Sequence, residues 1–283
     1  MNGNGTQESP YEITTYAELV ADKEQGKYYK LMNNIDCHTE SNTTIKTTGE
    51  PTDSSLYAQI DLNGKSIICP LFDLAGGKHM FQSLHMYNGN IFDIYFNNTG
   101  ESHYPVHCMI FDDVSISLHW SRELKHLDLT STIYSYFNRC YIKIYGTFAN
   151  GTYGEQKVVH TNCTIEFADV SNEASYPGIF LSCNYCYICG KMIMNTTREQ
   201  GAPYGILTLG YNRDYCNQNL IDLTIDNKIG NPSALLSFYG GNGNVFNNEK
   251  IVLSYSDSRG VSSADMRKPS VLISKGMQIT EVV

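Results

Sequence analysis

Three cysteines, Cys140, Cys163 and Cys186, recur at steps of 23 residues, each inside a similar stretch. The stretches read Phe137-Asn-Arg-Cys-Tyr-Ile-Lys-Ile, His160-Thr-Asn-Cys-Thr-Ile-Glu-Phe and Cys183-Asn-Tyr-Cys-Tyr-Ile-Cys-Gly. A fourth copy, Phe111-Asp-Asp-Val-Ser-Ile-Ser-Leu, lies a similar step upstream with Val114 in the cysteine slot. In each, a polar or turn residue precedes a small residue of buried type, and an isoleucine follows two positions later. Aligned blocks at a nearly constant period mark a solenoid, in which each repeat is one coil of chain. A sandwich built from hairpins does not return like positions at one period. Stacked coils put Val114, Cys140, Cys163 and Cys186 in one interior ladder at about 4.8 Å intervals, with Ile116, Ile142, Ile165 and Ile188 in the next.

The rest of the chain agrees with an all-β fold. Short β-branched and aromatic runs recur between Gly and Asn residues, among them 91–96, 114–119, 141–145, 164–167, 187–189, 220–225 and 251–255. Alternation such as Ile221, Leu223, Ile225 sends one set of side chains to one face. Asn63-Gly64 is a tight-turn signal between two such runs. One helix stands out. Thr15-Tyr-Ala-Glu18 is a capping-box pattern, Tyr16, Leu19 and Val20 share a face, and Gly26 supplies a stop, so a helix is predicted over 16–24. A solenoid exposes unpaired strand groups and apolar core at an open end, and this helix is placed to cover one. The expected organisation is a flexible leader at 1–10, a cap with helix and first strand at 11–36, coils over 37–265, and a C-terminal strand or tail at 266–283 that docks or contacts another subunit. Later coils, at Cys216-Asn-Gln-Asn-Leu-Ile and Gly243-Asn-Val-Phe, are looser copies.

Composition excludes several functions. Charged residues are 17% and net charge is −9, with 20 Lys and Arg and no basic run. Nucleic-acid binding needs a basic stripe to neutralise phosphates, so none is expected. No apolar stretch approaches the length that spans a bilayer, so membrane insertion is not expected either. The first residues carry no basic segment followed by an apolar run, which predicts cytoplasmic synthesis without a signal peptide. The nine cysteines are then expected as reduced core thiols rather than disulfides.

Two stretches carry a resemblance. Ser9-Pro-Tyr-Glu-Ile-Thr-Thr-Tyr-Ala-Glu-Leu followed by Gly26-Lys-Tyr-Tyr-Lys-Leu-Met-Asn-Asn-Ile-Asp resembles the opening cap of bacterial and phage surface β-helices, with Asn34 where Asp is usual. Ile60-Asp-Leu-Asn-Gly-Lys-Ser-Ile is similar to the first-coil turn of the pectate-lyase-like superfamily. The resemblance covers the chain from Ser9 to Ile67 closely and the remaining coils in style. It implies a single-stranded right-handed parallel β-helix with a short N-terminal capping α-helix, of the bacteriophage tail spike, tail fibre or virion surface type. It also implies a homotrimer located on the virion, touching other virion proteins or host cell-surface polysaccharide. This fold hosts lyases, hydrolases, adhesins and spikes alike, so function must come from a site. The alternatives are a depolymerase of bacterial surface polysaccharide, by lyase or glycoside hydrolase chemistry, and a bacterial surface adhesin.

Candidate sites are few. Cys183-x-x-Cys186-x-x-Cys189 lacks a fourth converging ligand for zinc, and Pro105 in His103-Tyr-Pro-Val-His107 prevents the helix that would align both imidazoles. No metal and no cofactor are expected. Polysaccharide cleavage on such a fold uses carboxylates in pairs, one protonated as acid and one acting as base or nucleophile. The catalytic candidates are Asp112, Asp113, Glu166 and Asp169. Asp222, Thr224 and Asp226 are expected on a solvated outer face. For contact with a glycan or partner, the segment around His119 and Trp120, with Tyr134 and Tyr136, is the candidate, because aromatic rings stack on sugar faces and are enriched in interfaces.

Overall fold

The computed structural model describes residues 1–40, 43–48, 57–73, 81–97, 106–107, 109–120, 135–148, 158–172, 179–194, 207–209, 216–227, 234–238, 246–247, 250–257, 270–271 and 278–282. Most of these residues are strand, and the strands pair in parallel. In the largest sheet Tyr11–Ile13 lies beside Tyr28–Leu31, then Ala58–Asp61, Leu84–Asn97 and Ile110–Trp120. From there each coil contributes two segments separated by a corner. Ser135–Asn138, Val158–Thr161, Cys183–Asn184, Cys216–Asn217 and Phe246–Asn247 form one stack. Tyr141–Phe148, Thr164–Asn172, Tyr187–Met194, Leu220–Asn227, Lys250–Asp257 and Gln278–Val282 form the other. Two smaller parallel sheets are formed by Ile45–Lys46, Phe81–Gln82 and Val106–His107, and by Ile179–Leu181, Leu207–Leu209, Ala234–Phe238 and Ser270–Val271. This is the parallel β-solenoid that the repeat predicts, with very little helix.

The interior is built of rows. Ile91, Ile116, Ile142, Ile165, Ile188 and Ile221 stand in register on successive coils. A second row runs Phe111, Phe137, His160, Cys183. Its rings stack face to face, Phe111 on Phe137 at 4.9 Å and Phe137 on His160 at 5.0 Å. His160 is fully buried and its Nδ1 lies 3.3 Å from the Ser182 carbonyl, which makes Nδ1 the protonated nitrogen.

The cysteine slot follows a corner of defined geometry. Asn88, Asp113, Arg139, Asn162, Tyr185 and Gln218 all have φ between 53 and 60°, the left-handed region. Asn and Asp tolerate that region best among residues with a Cβ, and no β-branched residue takes the place, which accounts for the polar residue ahead of most slots. The next N–H is left to seek a partner on the following coil. Cys140 N–H donates to Cys163 Sγ at 3.4 Å, and Cys186 N–H donates to Asn219 Oδ1 at 2.8 Å. Asn219, buried in the slot of the next coil, also donates from Nδ2 to the Cys183 carbonyl at 2.8 Å. The thiols donate in turn, Cys163 to the Phe137 carbonyl at 3.2 Å and Cys186 to the Asn184 carbonyl at 3.4 Å. Hydrogen bonding to Cys163, and then burial, push the Cys140 and Cys186 thiols above their ordinary range. The slot is therefore more than a packing position equivalent to valine, because its side chain accepts an otherwise orphaned amide. Gly89 occupies it in an early coil, where a Cβ would lie 2.3 Å from Leu62 Cβ.

The N-terminal cap is shorter and more tightly tied than the sequence predicts. The helix spans Tyr16–Val20, opened by the Thr15–Glu18 capping box, and Ala21 leaves it at ψ 139°. The helix ends early because Lys23, fully buried, turns back and donates Nζ to the carbonyls of Leu19 (2.8 Å), Glu18 (3.0 Å) and Ala21. Those are the carbonyls that a short helix leaves unpaired. Burial brings the Lys23 ammonium down to about 8. Leu19 packs into the same core as Ile13, Leu31 and Ile45. Residues 1–10, the expected leader, carry bonds to the body. Glu12 N–H donates to the Asn2 carbonyl, Tyr28 N–H to the Gly5 carbonyl, and the Met1 amine lies 3.4 Å from Glu18.

Two outcomes follow from this packing. Cys163→Val keeps the volume but orphans the Cys140 amide, and urea unfolding should show a loss of about 1–3 kcal/mol; a neutral result would reduce the slot to packing alone. The backbone and hydroxyl hydrogen bonds of Thr14 hold the Glu18 carboxyl down to about 2, against 4.5 ordinarily. A depressed carboxylate stabilises fully above its ordinary value and loses that contribution as pH falls through the folded one. Thermal melts of the native protein should therefore drop between about pH 4.5 and 2, and Glu18→Gln should flatten that limb.

Candidate functional site

Asp112 and Asp113 sit at a corner, not in a cleft. Asp113 is the left-handed residue itself. Arg139, the left-handed residue of the next coil, grips Asp113 through Nε and Nη2, both at 2.8 Å, and reaches Asp112 at 3.2 Å. His85 Nε2 lies 2.9 Å from the other Asp112 oxygen. The hydrogen bond from Arg139 holds the Asp113 carboxyl below its usual range. The pair braces one coil against the next.

Glu166 and Asp169 lie elsewhere, on the outer face of the second strand stack. There an open depression of about 660 Å³ is lined by Lys143, Glu166, Asp169, Tyr187, Cys189, Lys191, Asp222 and Thr224, among others. A β-bulge shapes it. The register shifts between Phe167 and Val170 against the next coil, and Asp169 is the extra residue, at φ 51°. Bulges bend a strand and re-aim its side chains. Opposite, Gly190 adopts φ 108°, and a Cβ there would meet the Phe167 carbonyl oxygen at 2.2 Å. Only glycine allows the two coils to close across the floor.

The side chains of the outer face in and beside the depression repeat. Tyr141 crosses to the next coil and donates its hydroxyl to Glu166. Two coils along, Tyr187 makes the same diagonal to Asp222 at 3.2 Å. Both rings remain more than a third exposed. That hydrogen bond to Glu166, with burial, pushes the Tyr141 hydroxyl up to about 12, so it stays a donor. Lys143 faces Glu166 at 3.7 Å, and Lys191 pairs with Asp169 at 3.0 Å. Glu166, Cys189 and Asp222 share one outward column. Two coils at parallel-strand spacing put the Glu166 and Asp222 backbones about 9–10 Å apart. Burial raises the Cys189 thiol between them.

The contact candidates are divided. His119 lies on this same outer face, between Tyr95 (4.7 Å) and Tyr145 (4.9 Å), and burial lowers its imidazole. Tyr145 donates to Asp93, which sits at a bulge like that of Asp169. Tyr136 is exposed but belongs to the first strand stack, across the corner. Trp120 ends its strand, and its side chain, Tyr134 and the residues of His103–Pro105 lie outside the described residues. Cys183 and Cys186 are buried in different interior rows while Cys189 faces outward, and no three His, Cys, Asp or Glu side chains converge for a metal among the described residues. Sequence reasoning passed over Tyr141 and Tyr187. Their signal was present, since each directly follows a ladder cysteine in a Cys-Tyr-Ile block.

No protein-family model matches the chain, and no curated protein matches it by sequence. Among solved structures it is similar to a crystal structure of a "putative immunoglobulin A1 protease" from Bacteroides ovatus, at 13% identity and a TM-score of 0.42, over 98% of this chain and 84% of that one. At that level of likeness, neither the fold nor any activity of that protein transfers to this chain.

Proposed function

We propose that this chain is a virion surface protein of bacteriophage type, a β-solenoid that binds host surface glycan on the outer face carrying Tyr141 and Tyr187. The observation that carries this reading is the repeated ring-to-carboxylate diagonal on the outer face, at and beside the depression. A tyrosine anchored through its hydroxyl keeps its ring at one angle with a face open. Rings so held stack on sugar C–H faces without losing much rotamer freedom on binding. The charge-poor composition and the resemblance of the opening segment to phage surface β-helices support the virion setting and a homotrimer. A neighbouring virion protein is the other partner such a face would accept.

One observation favours a depolymerase instead. Glu166 and Asp222 share a column at a backbone spacing of about 9–10 Å, near the roughly 6.5–9.5 Å between carboxyl groups of inverting glycosidases. Binding is the better reading, because a general acid must hold a proton to give. Both carboxylates here instead accept a hydrogen bond from a tyrosine hydroxyl, and Glu166 also faces Lys143.

The test is retention of bacterial surface polysaccharides by the purified chain. Tyr141→Ala and Tyr187→Ala should each weaken binding about 2- to 10-fold, the value of one aromatic contact. Bound glycan should also slow alkylation of Cys189, followed by peptide mass mapping. Unchanged binding in the double variant would overturn the site. Chain cleavage that Glu166→Gln or Asp222→Asn abolishes would replace binding with catalysis. Light scattering at a monomer mass would remove the trimer.

A further inference from the structure

The depression carries two cations and three anions, and both cations are already engaged. Lys143 faces Glu166 and Lys191 faces Asp169. Asp222 has a tyrosine hydroxyl and no cation among the lining residues. Asp169 further holds the Lys191 ammonium above its ordinary range. An anionic ligand would have to break one of these pairs and approach the charge of Asp222 as well. It would also approach a chain of net charge −9, which repels polyanions at long range. A hydroxyl or ammonium group meets the opposite situation, since carboxylate oxygens are acceptors only.

Resting on the glycan-binding reading above, we infer that the depression selects an uncharged or amine-bearing sugar chain and rejects a polyuronate. The tyrosine rings contact the sugar faces whatever the ligand's charge. Asp222 sets the sign, taking a sugar hydroxyl or ammonium at the exposed end of the Tyr187 diagonal. Such discrimination comes from the like charge placed against the wrong ligand as much as from contacts with the right one.

Three oligosaccharides of matched length test it: one of N-acetylglucosamine, one of glucosamine and one of galacturonate, in low salt near pH 6. The glucosamine oligomer is expected to bind at least as well as the N-acetylated one, and the galacturonate oligomer about tenfold or more weaker than either. Asp222→Asn, which keeps an oxygen to accept the Tyr187 hydroxyl, should narrow the gap, and Asp222→Lys, which gives up that anchor, should still reverse its sign. Galacturonate binding as tight as the neutral oligomer, or a gap that neither variant moves, would overturn the inference. If none of the three binds, the polysaccharides retained in the wider screen decide it by charge, a retained set dominated by acidic chains overturning it. An empty screen instead removes the glycan-binding reading itself, so the two failures are distinct.

Discussion

A parallel ladder between coils holds only where every coil turns at the same place. In this chain the left-handed residue at each corner secures that. It bends the backbone, and for Cys140 and Cys186 the amide beyond the bend is accepted by the side chain in the slot of the next coil. The isoleucine row, the Phe–Phe–His stack and the outer face all take their register from that corner. Unequal spacing of the slots, from Val114 through Cys140, Cys163 and Cys186 to Asn219, is tolerated because the extra chain is inserted away from it. The acceptor can be sulfur or a carboxamide. Cys163 and Asn219 thus do one job with different strength, and only Asn219 adds a second bond, to the carbonyl of Cys183.

The outer face borrows its order from the same register. Like residues lie one coil apart, so a tyrosine in one coil reaches the carboxylate column of the next by a short diagonal, and the diagonal repeats wherever the pattern does. The bulge at Asp169 and the glycine at 190 add curvature to that otherwise flat surface. Where the corner residue is charged, as at Asp113 and Arg139, the same proximity makes an inter-coil ion pair instead. Two carboxylates adjacent in sequence are thereby bound to bracing, while two that lie far apart in sequence, Glu166 and Asp222, come to share a column.

How far the site could be foreseen follows from these geometries. Glu166 and Asp169 were legible as outward-facing groups on a late coil, and Tyr141 and Tyr187 could have been, from their repeated place after the ladder cysteine. Asp112 and Asp113 stood out in sequence because adjacent carboxylates suggest a catalytic pair. Nothing in the residues themselves says that Arg139 lies directly over them until the coil length is known to the residue. Lys23 was equally opaque, since a lysine after a short helix reads as solvated until the chain beyond is seen to cover it.

Local properties of the amino-acid sequence settled the architecture. Period, alternation and a polar residue before most slots are all local, and a ladder of equal coils has one way to stack them. The capping box was settled in the same way, because Thr15 and Glu18 are one helical turn apart. Whatever depends on distance across coils came from the folded chain: which carboxylates are bridged, where the bulge opens a depression, and that Lys23 closes the helix end. Side chains a coil or more apart in sequence meet or miss according to the smallest shift in register, and that shift is set by the packing of the whole coil rather than by any one stretch of chain.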